Sequence, residues 1–106
     1  MKKEINTITG SLDSINKLRG VAYKWDDTRF SKFVIEETQR EKVQIGLIAQ
    51  EVETVLPELV YNNGVEDLKA VRYAELVAVL IEGIKELSQE VNNLKTEIQT
   101  LKSGSI

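Results

Sequence analysis

Residues 77–101, VAVLIEGIKELSQEVNNLKTEIQTL, decide the architecture. Val77, Leu80, Ile84, Leu87, Val91, Leu94, Ile98 and Leu101 recur with alternating gaps of three and four. This is the heptad spacing that keeps one narrow apolar stripe facing a partner helix under a left-handed supercoil. A helix packed only within its own domain drifts off such a stripe and carries a broader apolar face. With Val77 at position a, Glu90 and Glu97 fall at g, and Lys95 and Lys102 at the following e. Parallel identical chains pair these charges across their interface. The segment therefore predicts one helix from Ala74 to Lys102, about 43 Å long, acting as an oligomerisation stalk.

Outward from the stalk, about 70 residues remain at 1–73. A core of that size is marginal alone, and self-association would supply the missing burial. The 106 residues carry a net charge of −3, with no cysteine and no histidine. The acidic balance argues against nucleic acid or an anionic membrane surface as partner. Without cysteine there is neither disulfide nor thiol chemistry, and without histidine no Ser-His-Asp or Cys-His site. No apolar run approaches the ~20 residues of a membrane span, and MKKEINTITG lacks the apolar core of a signal peptide. We expect a soluble module with neither metal nor cofactor.

Within 1–73 the pattern alternates between elements. Ser11 to Arg19 predicts a short helix with Leu12, Ile15 and Leu18 on one face, Ser11 as its cap and Gly20 in the left-handed position that ends it. Val21, Tyr23 and Trp25 have the period of a half-buried strand, closed by a turn at Asp26-Asp27-Thr28. Residues 29–44 fit a surface hairpin or extended insertion. Val43 to Ile48 predicts a strand, and Ala49 to Leu56 a helix with Val52, Val55 and Leu56 inward, stopped by Pro57. Leu59 to Tyr61 and Leu68 to Tyr73 read as strands around a turn at Asn62-Asn63-Gly64. The expected fold class is α+β: a small head of short helices and strands at 1–73, the stalk at 74–102, and a frayed tail at 103–106.

Candidate chemistry is sparse. Asp26-Asp27, Glu36-Glu37, Glu51 with Glu53, and Glu66-Asp67 read as solvated charges, because adjacent carboxylates on turns diverge and none has the ligand spacing of a calcium or magnesium site. No serine sits in a G-x-S-x-G or S-x-x-K arrangement. Tyr23 and Trp25 read as core aromatics, with a binding face as the lesser alternative. From composition and spacing alone, the chain is an oligomeric, non-enzymatic module.

Three stretches together carry a resemblance: SLDSINKLRGVAYKW (11–25), IGLIAQEVETVLPELV (45–60) and LKAVRYAELVAVLIEGIKEL (68–87). In this order, with a coiled coil following, the chain resembles the self-cleaving endosialidase-type intramolecular chaperone domain found at the C-terminal end of phage tailspikes and tail fibres. The resemblance implies a parallel homotrimer whose folding client is the upstream part of its own precursor. It acts in the host cytoplasm during virion assembly, is released by self-cleavage at its N-terminal boundary, and is absent from the mature virion. Intertwined three-chain β-structure depends on slow, aggregation-exposed non-local pairing. A C-terminal clamp raises the effective concentration of the chains and sets their register.

The resemblance also implies a Ser-Lys autoprotease whose motif is S-D-x-R-x-K with an isoleucine shortly after. Lys2-Lys3-Glu4-Ile5 resembles the end of that motif and places Lys2 at the catalytic base. The serine, aspartate and arginine would lie upstream of residue 1, so the chain is expected to be a processed fragment or a piece cut near the scissile point, inactive by itself. Lys2 reads equally well as an exposed terminal charge. On stoichiometry the indications differ. Val or Ile at a with Leu at d favours two strands, the resemblance implies three, and added apolar surface at Leu76, Val79 and Ile81 favours the trimer. The alternatives are a plain homo-oligomerisation adaptor with no folding role and a self-cleaving serine peptidase domain whose nucleophile lies upstream.

Overall fold

The computed structural model describes residues 1–25, 42–64 and 68–104. The readings of 26–41 and of Glu66-Asp67 lie outside them. After an exposed segment at 1–10 come α1 (Ser11–Asn16), β1 (Val21–Tyr23), β2 (Gln44–Gly46), α2 (Ala49–Val55), a 3-10 turn (Pro57–Leu59), β3 (Val60–Asn62), β4 (Lys69–Val71) and the long α3 (Tyr73–Gly104). The fold is α+β with small strands and a long C-terminal helix. Helix α3 runs through Ser103 and Gly104, the first half of the stretch read as a frayed tail.

The strands form two separate antiparallel hairpins, β1 with β2 and β3 with β4. Val21 faces Gly46 and Tyr23 faces Gln44 in the first; Val60 faces Val71 in the second. The turn expected at Asn62-Asn63-Gly64 lies further along: Asn62 is the last residue of β3 and pairs with Lys69, and the Asn63 N–H still donates to the Leu68 carbonyl at 3.2 Å. Gly64 has a φ of 87°, and its N–H donates to Asn62 Oδ1 at 3.0 Å, a local bond that asparagine provides readily. Pro57, which lacks the N–H to continue α2, opens the 3-10 turn.

The core is one cluster of Ala49, Val52, Leu59, Val71, Leu76 and Val79, with Ile15, Leu18, Leu47, Leu56 and Val60 against it. Val52 is the most enclosed, at 1 % exposure. This cluster lies between α1, α2, the β3–β4 hairpin and the first turns of α3. Leu76 and Val79 therefore point into the chain's own head. Of the three residues expected to add apolar surface for stoichiometry, only Ile81 remains exposed.

The first hairpin also differs from expectation. Tyr23 and Trp25 meet edge to face with ring centroids 5.4 Å apart, but Trp25 is 47 % exposed rather than core. Together with Leu47, Tyr61, Lys69 and Tyr73 they line an open cleft of about 600 Å³. Burial, and then the neighbouring Tyr73, push the Tyr23 phenol above its ordinary pKa. Among the described residues the pairing of β1 stops at Tyr23, two residues before Trp25. Tyr73, the first residue of α3, accepts the Leu47 N–H on its hydroxyl at 2.9 Å. A Cβ on Gly46 would stand 2.7 Å from that hydroxyl, which explains the glycine there.

Candidate assembly interface

Helix α3 presents two apolar faces. Leu76, Val79 and Gly83 are buried against the head. The seam of Val77, Leu80, Ile84, Leu87, Val91, Leu94, Ile98 and Leu101 is bare along its whole length, each residue between 40 % and 72 % exposed. At 3.6 residues per turn, the seam residues beside the head (Val77, Leu80 and Ile84) are centred roughly 100° from the buried face. The head thus leaves the seam open while holding the helix by its flank. Sequence reasoning found the seam but missed this second face, because Leu76, Val79 and Gly83 interleave with the heptads and Gly83 carries no apolar side chain.

Beyond the head, from Leu87 onward, every described side chain of α3 is exposed. The bonds there are local: Gln89 donates to Asn93 at 3.0 Å, and Thr96 and Thr100 donate to the carbonyls of Asn92 and Thr96. Such back-bonding adds little to helix stability, and isolated helices of about 15 residues are marginal in water. Glu90, Lys95, Glu97 and Lys102 are exposed beside the seam, where register-setting pairs belong.

Besides the core contacts of Leu76 and Val79, α1 joins the head to α3. α1 lies along the helix, and Ile15 fills the notch left by Gly83, where a Cβ would collide with its Cδ1. One turn on, the Glu86 carboxylate accepts the Gly10 N–H at 2.9 Å and the Leu12 N–H at 2.7 Å. These are among the donors that the first turn of α1 leaves unsatisfied. Ser11, expected as the cap, is instead the first helical residue, buried at the contact with no side-chain cap bond. The capping group comes from 74 residues downstream in sequence, a relation that no local motif signals. The left-handed glycine also lies at the opposite end of α1: Gly10 has a φ of 73°, whereas Gly20 is not in that region.

The other candidate residues are dispersed. Lys2 is exposed in the N-terminal segment, shortly before a bend where Glu4 has a φ of 54° and the Asn6 amide donates to the Glu4 carbonyl. The structure brings none of the seam residues to it. Glu51 and Glu53 turn away from each other into separate ion pairs, with Arg19 and Lys69, both at 2.6 Å. The Arg19 guanidinium, by hydrogen bonding, holds the Glu51 carboxyl below the usual range, while Glu51 raises Arg19. Among the described residues no three acidic side chains gather as a metal site would require. Nor is any helix there long and apolar enough to cross a membrane.

Comparison with known proteins agrees with this architecture. Residues 1–61 match the family described as the chaperone of endosialidase. The similarity to individual proteins continues through α3. The chain is 33 % identical over 104 residues to the long tail fiber protein Gp37 of Salmonella phage S16, covering 96 % of this chain and 13 % of that protein. It is 32 % identical over 101 residues to Gp37 of Enterobacteria phages M1 and Ox2, covering 93 % of this chain and 37 % of each. The chain thus spans well under half the length of the curated relatives it matches. With more than half of its residues inside the family match, and a head and long helix in the order that its three motifs imply, the chain belongs to the chaperone of endosialidase family.

Proposed function

We propose that this chain is a tail-fibre assembly chaperone that brings three copies together through the α3 seam and sets the register in which their upstream parts fold. The observation that carries the reading is the seam itself, which stays exposed on every heptad while the adjacent face of the same helix is buried in the head. Full burial of an exposed apolar side chain is worth about 1.5–3 kcal/mol; each seam residue is already partly covered, so its burial in a partner gains a part of that, repeated at eight positions per chain. The three-chain stoichiometry rests on the family, since Leu76 and Val79 are used within the head. The client is the upstream part of the same precursor. Its relatives are tail-fibre proteins far longer than this chain, which fits a small assembly module on a large fibre. The reading includes action in the host cytoplasm during virion assembly and release by self-cleavage at the N-terminal boundary, with Lys2 as the base for a serine supplied upstream.

The test is to express a fibre precursor carrying this chain, intact and with Leu87→Asp and Leu94→Asp together. Soluble, detergent-resistant trimers of the fibre part from the intact precursor alone are expected. Equal yields from both would contradict a folding role. In the same precursor Lys2→Ala should leave assembly intact and the chain uncut, and cleavage at the normal rate would remove Lys2 from the reaction.

A further inference from the structure

The junction between α1 and α3 has a consequence for how register reaches the client. The only tertiary hydrogen bonds from the first twelve residues to α3, among the described residues, are those of the Gly10 and Leu12 N–H groups to Glu86. Glu86 is adjacent in sequence to Leu87, a seam residue, and one turn beyond Gly83, where Ile15 is seated. Everything before Gly10 is exposed. The path of the chain toward its N-terminal end therefore leaves the head at a point tied to the stalk helix rather than to the hairpins. We propose that Glu86 is a positioning residue that latches the N-terminal exit of each chain to the assembled stalk, so that three upstream segments leave at a fixed spacing from the helix axis.

The chemistry favours this assignment over simple capping. One carboxylate accepts both bonds, so it fixes direction as well as distance, and charge-assisted bonds of this kind are stronger than neutral ones. Gly10 in the left-handed region turns the chain sharply at the latched point. A local capping box, with a side chain at residue 10 accepting from the N–H of residue 12 or 13 and one at residue 13 accepting from the N–H of residue 10, would satisfy such donors while leaving the exit independent of α3. Ile15 in the Gly83 notch holds α1 along the helix but lies a turn further from the exit. Its role is to keep the helices together, whereas Glu86 sets where the chain departs.

This inference rests on the self-association proposed above, and its test separates the two. The chain has no cysteine, so Thr7→Cys gives one spin label per chain, three residues before the latch, for pulsed distance measurement in the full-length protein. The unmodified latch should give one narrow interchain distance. Glu86→Ala should broaden that distribution at least twofold with sedimentation mass and helix content unchanged. Glu86→Gln, which keeps one acceptor oxygen, should fall between them and serves as the variant if Glu86→Ala unfolds. An unchanged width in an oligomer of unchanged mass would overturn the latch alone. A monomeric mass for the unmodified protein would overturn the self-association reading and the latch with it.

Discussion

The two halves of α3 carry the same seam in opposite settings. From Tyr73 to Glu86 the helix has a flank in the head, where Leu76, Val79 and Gly83 are buried, and the seam runs bare beside it. From Leu87 to Gly104 the seam continues at the same spacing, but every side chain is exposed. If the seam served the chain's own core, the first half would bury it, since the head is in contact there. It buries the neighbouring face instead. The first half thus shows that the seam is left over after intrachain packing, and the second half shows that it continues where no intrachain packing is on offer. A regular apolar stripe with those two properties is what the proposed interface between chains requires.

The contrast can be broken at either end. The largest effect should come from Leu87→Asp with Leu94→Asp, which places charge in the seam of the second half. Substitutions that bury an unpaired charge are among the most damaging, costing several kcal/mol each. We expect dissociation and loss of helix beyond residue 87, read by circular dichroism, while amide exchange around Val52 stays protected. Val52→Ala attacks the other side. It removes two buried methylene equivalents and leaves a cavity, destabilising the head by about 2 kcal/mol in a urea titration, with the mass of the assembly unchanged. If Val52→Ala dissociated the chains and the double aspartate change did not, the two halves would have exchanged roles.

Gly83→Ala tests the boundary. The new Cβ drives into Ile15, and overpacking of this kind costs about 1–3 kcal/mol. The loss should appear as weakened α1 protection with stalk helicity retained. The smallest effect belongs to the Arg19–Glu51 pair on the head surface. Folding lowers the Glu51 pKa, so the pair contributes above the ordinary carboxylate range and is lost as pH falls through the folded value. Both groups are solvent-exposed, and Glu51→Gln should leave the urea midpoint at neutral pH almost unmoved. What it should remove is a slight acid-side decline, visible on comparing titrations above and below that range.

The stalk was the most legible part of the sequence because its signal repeats: eight apolar positions agree on one period, and Tyr73–Gly104 follows from them within two residues at either end. Short elements with local chemistry were also legible. Pro57 stops α2 and opens the 3-10 turn because proline acts on its own backbone, whereas the turn expected at Asn62-Asn63-Gly64 lies further along, since Asn62 still pairs with Lys69. What the sequence hid depends on distant partners. Nothing near Ser11 indicates that α1 is capped by Glu86, and an isolated glycine at 83 gives no sign that Ile15 occupies the space beside it. Tyr23 and Trp25 alternate as strand residues should, yet alternation does not reveal that the pairing of β1 stops at Tyr23 and leaves Trp25 at the rim of a cleft. Leu76 and Val79 illustrate the same limit, since hydrophobicity marked them for burial without saying in which interface.

On the proposed function, the exposed seam of α3 is completed by other copies of this chain. Sedimentation equilibrium of the unmodified protein across a wide concentration range tests it directly. The expected mass is three times the 12.0 kDa of the chain, held down to low concentration. A single species at 12.0 kDa would contradict it, because α3 beyond the head would then have no partner for its apolar face.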